Sequence, residues 1–267
     1  MIAIEVDDVS RSFAIADGGT YSALAHVSIA VPQGAFVAIV GPSGCGKSTL
    51  LNLIAGLMTP SSGRILVCGD PLSGLNRRAT YMFQQDALLP WKDVRENVAL
   101  GLILAGVARP TAHRRADEWL ARVGLSAFGG HFPAQLSGGM RKRATMAQNW
   151  IIDREILLMD EPFSALDIHT RQRMESELLE LWEGSRKTVV FVTHDLEEAI
   201  ALADEVVVLS AGPSSRVISH HRVPLARPRD LLDLRMQPAF VDLYRSIWGD
   251  LRGEVIKSQQ GAGARRD

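Results

Sequence analysis

The sequence has little cysteine and almost no excess charge of either sign. Its 267 residues include two cysteines, Cys45 and Cys68, which argues against a disulfide framework and favours a reducing compartment. The formal net charge is -1, so the basic surface that nucleic-acid binding requires is not expected. Hydrophobic residues nevertheless make up 46% of the chain, which is enough for the sizeable core of a folded protein.

The chain also lacks a long hydrophobic run and a basic leader. The longest apolar stretch, residues 98–108, is shorter than the ~20 residues that a helix needs to cross a bilayer. Acidic residues (Glu5, Asp7 and Asp8) occupy the region where a secretory signal peptide carries basic ones. We therefore expect a soluble cytoplasmic protein, whose role at a membrane would require a partner.

A glycine-rich loop that ends in lysine and serine occupies residues 41–48, Gly-Pro-Ser-Gly-Cys-Gly-Lys-Ser. An apolar run typical of a buried strand precedes the loop, and leucines with helical spacing follow it. Glycines let backbone N–H groups turn towards a phosphate, and a helix N-terminus also favours an anion. Lys47 adds a positive charge for the β- and γ-phosphates, and Ser48 adds a hydroxyl for Mg²⁺. The pattern predicts a nucleoside triphosphate site formed by Gly41, Pro42, Ser43, Gly44, Cys45, Gly46, Lys47, Ser48 and Thr49.

Two carboxylates end another apolar run, Ile-Leu-Leu-Met-Asp-Glu at residues 156–161. In a protein with a phosphate loop, we expect such a strand to lie next to the strand that precedes the loop. Asp160 would then hold Mg²⁺ through water, and Glu161 would orient or deprotonate the attacking water. Strands and helices alternate after this motif, which predicts a parallel sheet with crossover helices.

A second candidate anion site, Leu-Ser-Gly-Gly-Met, lies at residues 136–140, just before a helical run. Its hydroxyl and its backbone N–H groups could bind phosphate oxygens in the same way as the first loop. One nucleotide does not need two such cradles in one chain. We therefore expect Ser137, Gly138 and Gly139 to contact a nucleotide that is bound to a second copy of the chain.

Taken in order, these motifs resemble those of the ATP-binding cassette family, the motor subunits of ABC transporters. The resemblance covers about residues 4–255 and includes two further elements, Ser-Ala-Leu-Asp at 164–167 and a histidine after a strand. It implies an α/β fold: a P-loop NTPase core with a parallel sheet, an N-terminal antiparallel β subdomain and a helical subdomain inserted at about 92–150. The ATP-binding domain would span residues 1–257, and the polar segment 258–267 is expected to be a disordered tail.

The resemblance also implies roles for single residues. Gln84 would offer its amide to Mg²⁺ or to water and withdraw when the helical part moves, and His194 would reach the γ-phosphate. With Glu161, these two residues form the expected catalytic set. Asp167 would contact the opposite subunit. Phe13 is the best candidate for stacking on adenine, and Tyr21 is the alternative.

The stretch Phe-Gln-Gln-Asp-Ala-Leu-Leu-Pro-Trp at residues 83–91 resembles the nitrate, sulfonate and taurine importer subfamily. This implies an ATPase that powers uptake of a small anionic or organic solute from the inner face of the membrane. Its expected partners are a second copy of itself, head to tail, two permease subunits and, indirectly, a substrate-binding protein, but no nucleic acid. We expect Leu88, Leu89 and Trp91 to form an exposed apolar site for a helix of the permease.

Two other functions fit parts of the sequence. One is a non-transport ABC ATPase that acts on nucleic acid or ribosomes, and the other is the subunit of an exporter. A single cassette, a balanced charge and no long heptad region weigh against the first, and the importer-like motifs weigh against the second. Nitrate, taurine, alkanesulfonates and pyrimidine precursors remain equally compatible with these residues. Because Cys45 lies in the phosphate loop, we also expect a maleimide to block ATP hydrolysis and ATP to protect the thiol.

Overall fold

An antiparallel sheet forms the N-terminal part of the structure, a computed structural model that describes residues 1–15 and 18–263. Its four strands lie in the order β2-β1-β4-β5, and each pairs with its neighbour in antiparallel register. Residues 26–31 of the second strand alternate between exposed and buried, as expected of a sheet with one covered face. The strands are β1 (Ile2–Ala14), β2 (Thr20–Pro32), β4 (Ser62–Val67) and β5 (Asp70–Pro71).

A six-stranded sheet in the order β10-β9-β3-β8-β7-β6 forms the centre of the molecule. All its pairs are parallel except β10 with β9. Strands β3, β7 and β8 are buried along their whole length, which explains their continuous apolar sequences. The strands are β3 (Phe36–Val40), β6 (Ala79–Met82), β7 (Ile156–Asp160), β8 (Thr188–Val192), β9 (Glu205–Leu209) and β10 (Val217–Arg222).

The strand order corrects one expectation from the sequence. We expected β7 to lie next to β3, but β8 lies between them. The helix that follows β3, α1 (Lys47–Ile54), packs against both β8 and β7 and so spans the intervening strand. The start of α1 and the end of β7 therefore still meet.

Each face of the central sheet has its own hydrophobic core. Phe36, Ala38 and Val40 of β3 belong to the core beneath α5 (Ile168–Ser185), α6 (Leu196–Leu202), α7 (Leu231–Leu234) and α8 (Pro238–Gly263). The alternate residues Val37 and Ile39 belong to the core shared with α1 and the antiparallel sheet. This division follows from the two-residue period of a strand.

Three helices form a separate cluster between β6 and β7 in the chain: α2 (Val94–Leu104), α3 (Arg109–Arg122) and α4 (Gly138–Trp150). Short 3₁₀ turns at Ser126–Phe128 and Pro133–Gln135 connect α3 to α4. Two of the helices begin at capping residues, because Asp93 accepts from the Glu96 N–H and Ser137 from the Met140 N–H. The cluster thus has a core of its own, made largely of alanine, leucine and valine.

The last helix extends into the segment that the sequence predicted to be a disordered tail from residue 258. Helix α8 continues to Gly263, and residues 264–267 lie outside the described part of the chain. Its Ile247 and Leu251 are buried in the core, and Val255 packs against the same core. The sequence did not indicate the last turns of this helix, because residues 258–263 are polar or small. Among the described residues, no helix has the length and apolar character that crossing a membrane requires.

Candidate functional site

The phosphate loop lies between β3 and α1, and a Cβ would meet close neighbours at two of its glycines. Gly46, the residue before α1, has φ of 102°, and a Cβ there would lie 2.8 Å from the Leu24 side chain. A Cβ at Gly41 would lie 2.8 Å from the Cys45 sulfur. The loop therefore requires glycine at both positions, and it carries the chain directly into a helix N-terminus, where anions are favoured.

Lys47 is almost fully buried at the centre of this loop, with a side chain only 5% exposed. Its ammonium donates to the Gly41 carbonyl at 2.9 Å and to the Pro42 carbonyl at 3.2 Å. It also lies 4.0 Å from a carboxylate oxygen of Glu161. A buried ammonium needs such partners, and phosphate oxygens would offer stronger ones.

Ser48 and Asp160 place two side-chain oxygens next to each other, close to Lys47. The Ser48 hydroxyl donates to Asp160 Oδ1 at 3.0 Å. Burial raises the pKa of the Asp160 carboxyl above its ordinary value, and the hydrogen bond from Ser48 opposes this shift. The Tyr81 hydroxyl donates to the other carboxylate oxygen at 3.4 Å, and burial raises the pKa of Tyr81 strongly. Tyr81 lies three residues before Gln84 and belongs to none of the motifs recognised in the sequence.

Glu161 and His194 contact each other close to Lys47. Glu161 Oε2 lies 3.0 Å from His194 Nδ1. Glu161 has φ of 41°, a conformation that residues other than glycine seldom adopt, and its N–H donates to the Val192 carbonyl at the end of β8. The end of the parallel sheet therefore brings a lysine, a carboxylate and an imidazole together, although they lie far apart in the sequence.

Gln84 is exposed and lies at the mouth of this site. Its side-chain amide donates to the Ser164 hydroxyl at 3.4 Å, and that hydroxyl donates to the Glu161 backbone carbonyl at 3.0 Å. The buried Lys142 of α4 donates to the Gln84 carbonyl at 2.8 Å and pairs with Asp86 at 3.0 Å. Lys142 therefore connects the Gln84 segment to the helical cluster, and no sequence motif indicated this role.

Phe13 and Tyr21 lie opposite each other on β1 and β2. Both line one open cavity together with Gln84, Glu161 and the phosphate loop from Ser43 to Thr49, omitting Cys45. The Arg11 guanidinium lies 4.7 Å from the centre of the Phe13 ring and covers one of its faces. The geometry thus brings both candidate aromatics to the phosphate loop.

The Ser-Gly-Gly segment lines a different cavity. Ser137, Gly138 and Gly139 share it with Leu166 and Asp167, and none of the residues that line it also lines the cavity beside the phosphate loop. Asp167 caps α5 by accepting from the Thr170 N–H, and this hydrogen bond lowers the pKa of its carboxyl. Within one chain, the two phosphate cradles therefore line separate cavities.

Cys45 does not present its thiol to the phosphate cavity, which contradicts our expectation for maleimide. Its side chain is buried beneath the loop, its N–H donates to the Pro42 carbonyl, and burial raises the pKa of the thiol. The glycine pattern revealed the loop, but not the direction in which this side chain points.

The expected apolar surface at residues 88–91 is only partly correct. Leu88 is buried in the helical cluster and Leu89 is half-buried, whereas Trp91 is 71% exposed. A cavity of about 520 Å³ lies between the helical cluster and the central sheet. Apolar side chains dominate its lining, among them Leu57, Leu75, Phe83, Leu100, Leu104 and Ile152.

The chain is similar to known ABC transporter proteins. A family model described as ABC transporter matches residues 24–164. The taurine import ATP-binding protein TauB of Rhizobium johnstonii is 44% identical over 248 residues, which are 91% of this chain and 94% of the relative. TauB of Yersinia pestis is 48% identical over 195 residues, which are 73% of this chain and 76% of the relative.

Two solved structures have a similar fold. One is described as the dimeric structure of MJ0796, a bacterial ABC transporter cassette, with a TM-score of 0.74 and 32% identity. The match covers 84% of this chain and 100% of that one. The other is a dimeric post-hydrolysis state of MJ0796 bound to ADP and Pi, with a TM-score of 0.73, 31% identity and the same coverage.

Proposed function

This chain belongs to the ABC transporter family, and we propose that it is the ATP-hydrolysing subunit that powers an importer. The observation that carries the proposal is the meeting of Lys47, Glu161 and His194 around the phosphate loop. Relatives named for taurine import align with most of the chain, so a role on nucleic acid or ribosomes is not favoured. The reaction is the hydrolysis of ATP to ADP and phosphate.

In this proposal, residues 41–49 bind the phosphates of ATP through backbone N–H groups and through Lys47. The Lys47 ammonium already has carbonyl and carboxylate oxygens as neighbours, and phosphate oxygens would take their place as acceptors. Adenine would stack on Phe13, with Tyr21 as the second candidate. Both rings line the same cavity as the phosphate loop, so a nucleotide bound to the loop could reach either ring.

The residues around Asp160 suit Mg²⁺. This ion prefers oxygen ligands and keeps several waters, and the Ser48 hydroxyl and the Asp160 carboxylate provide two oxygens at one point. Among the described residues, no group of three or more His, Cys, Asp or Glu side chains could hold a metal. Gln84 is the third candidate ligand. Bound Mg²⁺ would neutralise charge on the phosphate oxygens.

Glu161 is the proposed general base. Its unusual backbone conformation and its contact with His194 fix the direction of its carboxylate. A water between Glu161 and the γ-phosphate would lose its proton to this carboxylate, and His194 would contact the phosphate. Phosphoryl transfer depends mostly on positioning and charge, which Lys47 and the loop N–H groups would supply.

Each complete site is proposed to need two copies of the chain. The phosphate loop of one copy and Ser137, Gly138 and Gly139 of the other would enclose one ATP, and Asp167 would contact the opposite copy. The separate cavities within one chain support this arrangement, as does the dimeric state of the similar cassette. Closure would exclude water and complete both sites.

The proposed membrane partners are two permease subunits, which this ATPase would contact from the inner face of the membrane, with a substrate-binding protein further away. The exposed Trp91 and the apolar cavity beside Phe83 are the proposed contact for a permease helix. The names of the relatives favour taurine or another small sulfonate or anion as the solute.

The substitution Glu161→Gln tests the proposal. Loss of the base should slow ATP hydrolysis by about 10²-fold or more, while binding persists, so that an ATP-bound dimer accumulates in size-exclusion chromatography. Glu155→Gln is a matched control, because Glu155 is exposed and lies at the other end of β7. Hydrolysis at the parent rate in Glu161→Gln would exclude this residue as the base, and a parent chain without ATPase activity would refute the function.

A further inference from the structure

Arg171, in the first turn of α5, connects two loops of the site through one guanidinium group. Its Nη2 donates to the Leu166 carbonyl at 3.2 Å, and its Nη1 donates to Asp195 Oδ2 at 3.3 Å. Its Nε lies 3.6 Å from the Glu198 carboxylate. The side chain is only 25% exposed, so these contacts are partly shielded from water.

The two loops that Arg171 connects belong to different half-sites. Leu166 lines the cavity of Ser137, Gly138 and Gly139. Asp195 directly follows His194, whose ring contacts Glu161. In a head-to-tail dimer, one of these half-sites would serve the first ATP and the other the second ATP. A contact between them within one chain is therefore a contact between the two ATP sites of the dimer.

We propose that Arg171 is a positioning residue that couples the two ATP sites, from Leu166 through Asp195 to His194 and Glu161. This inference rests on the proposed function, because it requires two composite sites. Closure of one site against the Ser137 segment would move Leu166, and Arg171 would pass that movement to the loop that carries His194. The coupling acts through position and involves no new chemical step.

The surroundings of Arg171 favour a stiff connection. Asp195 accepts from the Glu197 N–H at 2.8 Å and so fixes the start of α6. The buried Glu198 accepts from the Thr193 hydroxyl at 2.6 Å, just before His194 in the chain. A hydrogen-bonded, partly buried network of this kind has few alternative arrangements.

Arginine is required here because the two acceptors lie on different loops. Its planar fork donates to both at once, whereas a lysine ammonium is a compact charge on a flexible stem. Arg171→Lys should keep an ion pair with Asp195 or Glu198 and lose the simultaneous contact with the Leu166 carbonyl. The substitution therefore removes the connection while it retains the charge.

The experiment measures ATP hydrolysis by the full chain as a function of ATP concentration. Two coupled sites should give the parent a Hill coefficient above 1, with 2 as its limit. Arg171→Lys should lower it below the parent value, with a larger effect on kcat than on KM. Arg114→Lys is the matched control, because Arg114 is exposed on α3 and pairs with Glu118. Thermal unfolding should show that both variants are folded.

Asp195→Asn provides a second test that does not alter Arg171. The asparagine oxygen can still cap α6 but lacks the charge that holds the guanidinium, so cooperativity should fall in the same way. Parent-like Hill coefficients in both variants would overturn the inference. A parent that hydrolyses ATP with a Hill coefficient of 1 would also overturn it and leave the proposed function intact, whereas a parent without activity would refute that function.

Discussion

At the scale of single residues, the burial of Lys47 determines how the site responds to substitution. Three oxygens surround its ammonium: two loop carbonyls and one oxygen of Glu161. A neutral side chain at position 47 would remove the positive charge that lies 4.0 Å from the Glu161 carboxylate. It would also remove the charge that Lys47 offers to the phosphates. We infer that loss of this cation weakens nucleotide binding more than it disturbs the fold.

Cys45 gives a prediction about reactivity. Because its thiol is buried and its pKa is raised, the variant Cys68→Ser, in which only Cys45 remains, should react with a maleimide at least ~10-fold more slowly than a free thiol. ATP should change this rate little, and urea should increase it. Mass spectrometry over time measures the labelling.

The matched variant is Cys45→Ser, in which the half-buried Cys68 remains and should react faster. Rapid labelling of Cys45 that ATP suppresses would contradict the buried position of the thiol. It would favour instead a sulfur that faces the bound phosphates.

Single residues were predictable where the chemistry is local in sequence. The loop at 41–49 could be recognised because its glycines, lysine and serine lie within nine positions. Tyr81, Lys142 and Arg171 could not, because each gains its role from a contact with a distant segment. The direction of the Cys45 side chain was also hidden, since a motif does not state which side chains point into the core.

At the scale of elements, α5 and α6 bury two carboxylates between them. Glu175 of α5 pairs with Arg235 at 2.8 Å, and Glu198 of α6 bonds Thr193. Burial raises the pKa of each carboxyl to about 7, although the neighbouring arginines oppose the shift. The helix pair therefore holds acids whose charge depends on pH near neutrality.

This arrangement predicts how stability depends on pH. The folded protein binds these protons more tightly than the unfolded chain, so the free energy of unfolding should fall as pH rises from about 4.5 to about 7. One proton contributes a slope of about 1.4 kcal/mol per pH unit. Glu175→Gln should reduce that slope, as measured by urea unfolding at several pH values. Glu180→Gln, on the exposed face of α5, should not. Equal slopes in the parent and in Glu175→Gln would contradict the prediction.

The segment between β6 and α2 gives a prediction about assembly. Trp91→Ala should weaken copurification with the permease and leave ATP binding intact, because the exposed indole is part of the proposed contact. Leu232→Ala in α7 is a control, since Leu232 is 69% exposed and lies outside this segment. Undiminished copurification of Trp91→Ala would reject the proposed contact.

Elements were predictable to different degrees. The strand before the phosphate loop and the strand that ends in Asp160 could be read from their apolar runs, and both lie where the sequence indicated. The position of β8 between β3 and β7 could not be read, because strand order depends on which crossover helix packs on which face. Helix α8 extends into the polar segment expected to be a disordered tail, and its earlier turns are anchored in the core.

At the scale of the whole molecule, the two phosphate cradles line separate cavities of one chain. The α/β fold with a parallel and an antiparallel sheet is confirmed by the similar cassettes, and so is membership of the ABC family. The boundaries of the helical subdomain stay a prediction. A composite site could be inferred from sequence because two anion cradles are more than one nucleotide needs, but its geometry depends on a second copy.

Cross-linking between copies tests this claim most directly. Ser43→Cys and Ser137→Cys are introduced into separately tagged chains that both carry Glu161→Gln, mixed with ATP and treated with a short bifunctional thiol reagent. We expect a covalent dimer that contains one copy of each tag and forms only with ATP. It should be absent when either cysteine variant is mixed with a chain that carries Glu161→Gln alone. Failure of this pair to cross-link in a Glu161→Gln protein that has bound ATP would contradict the account.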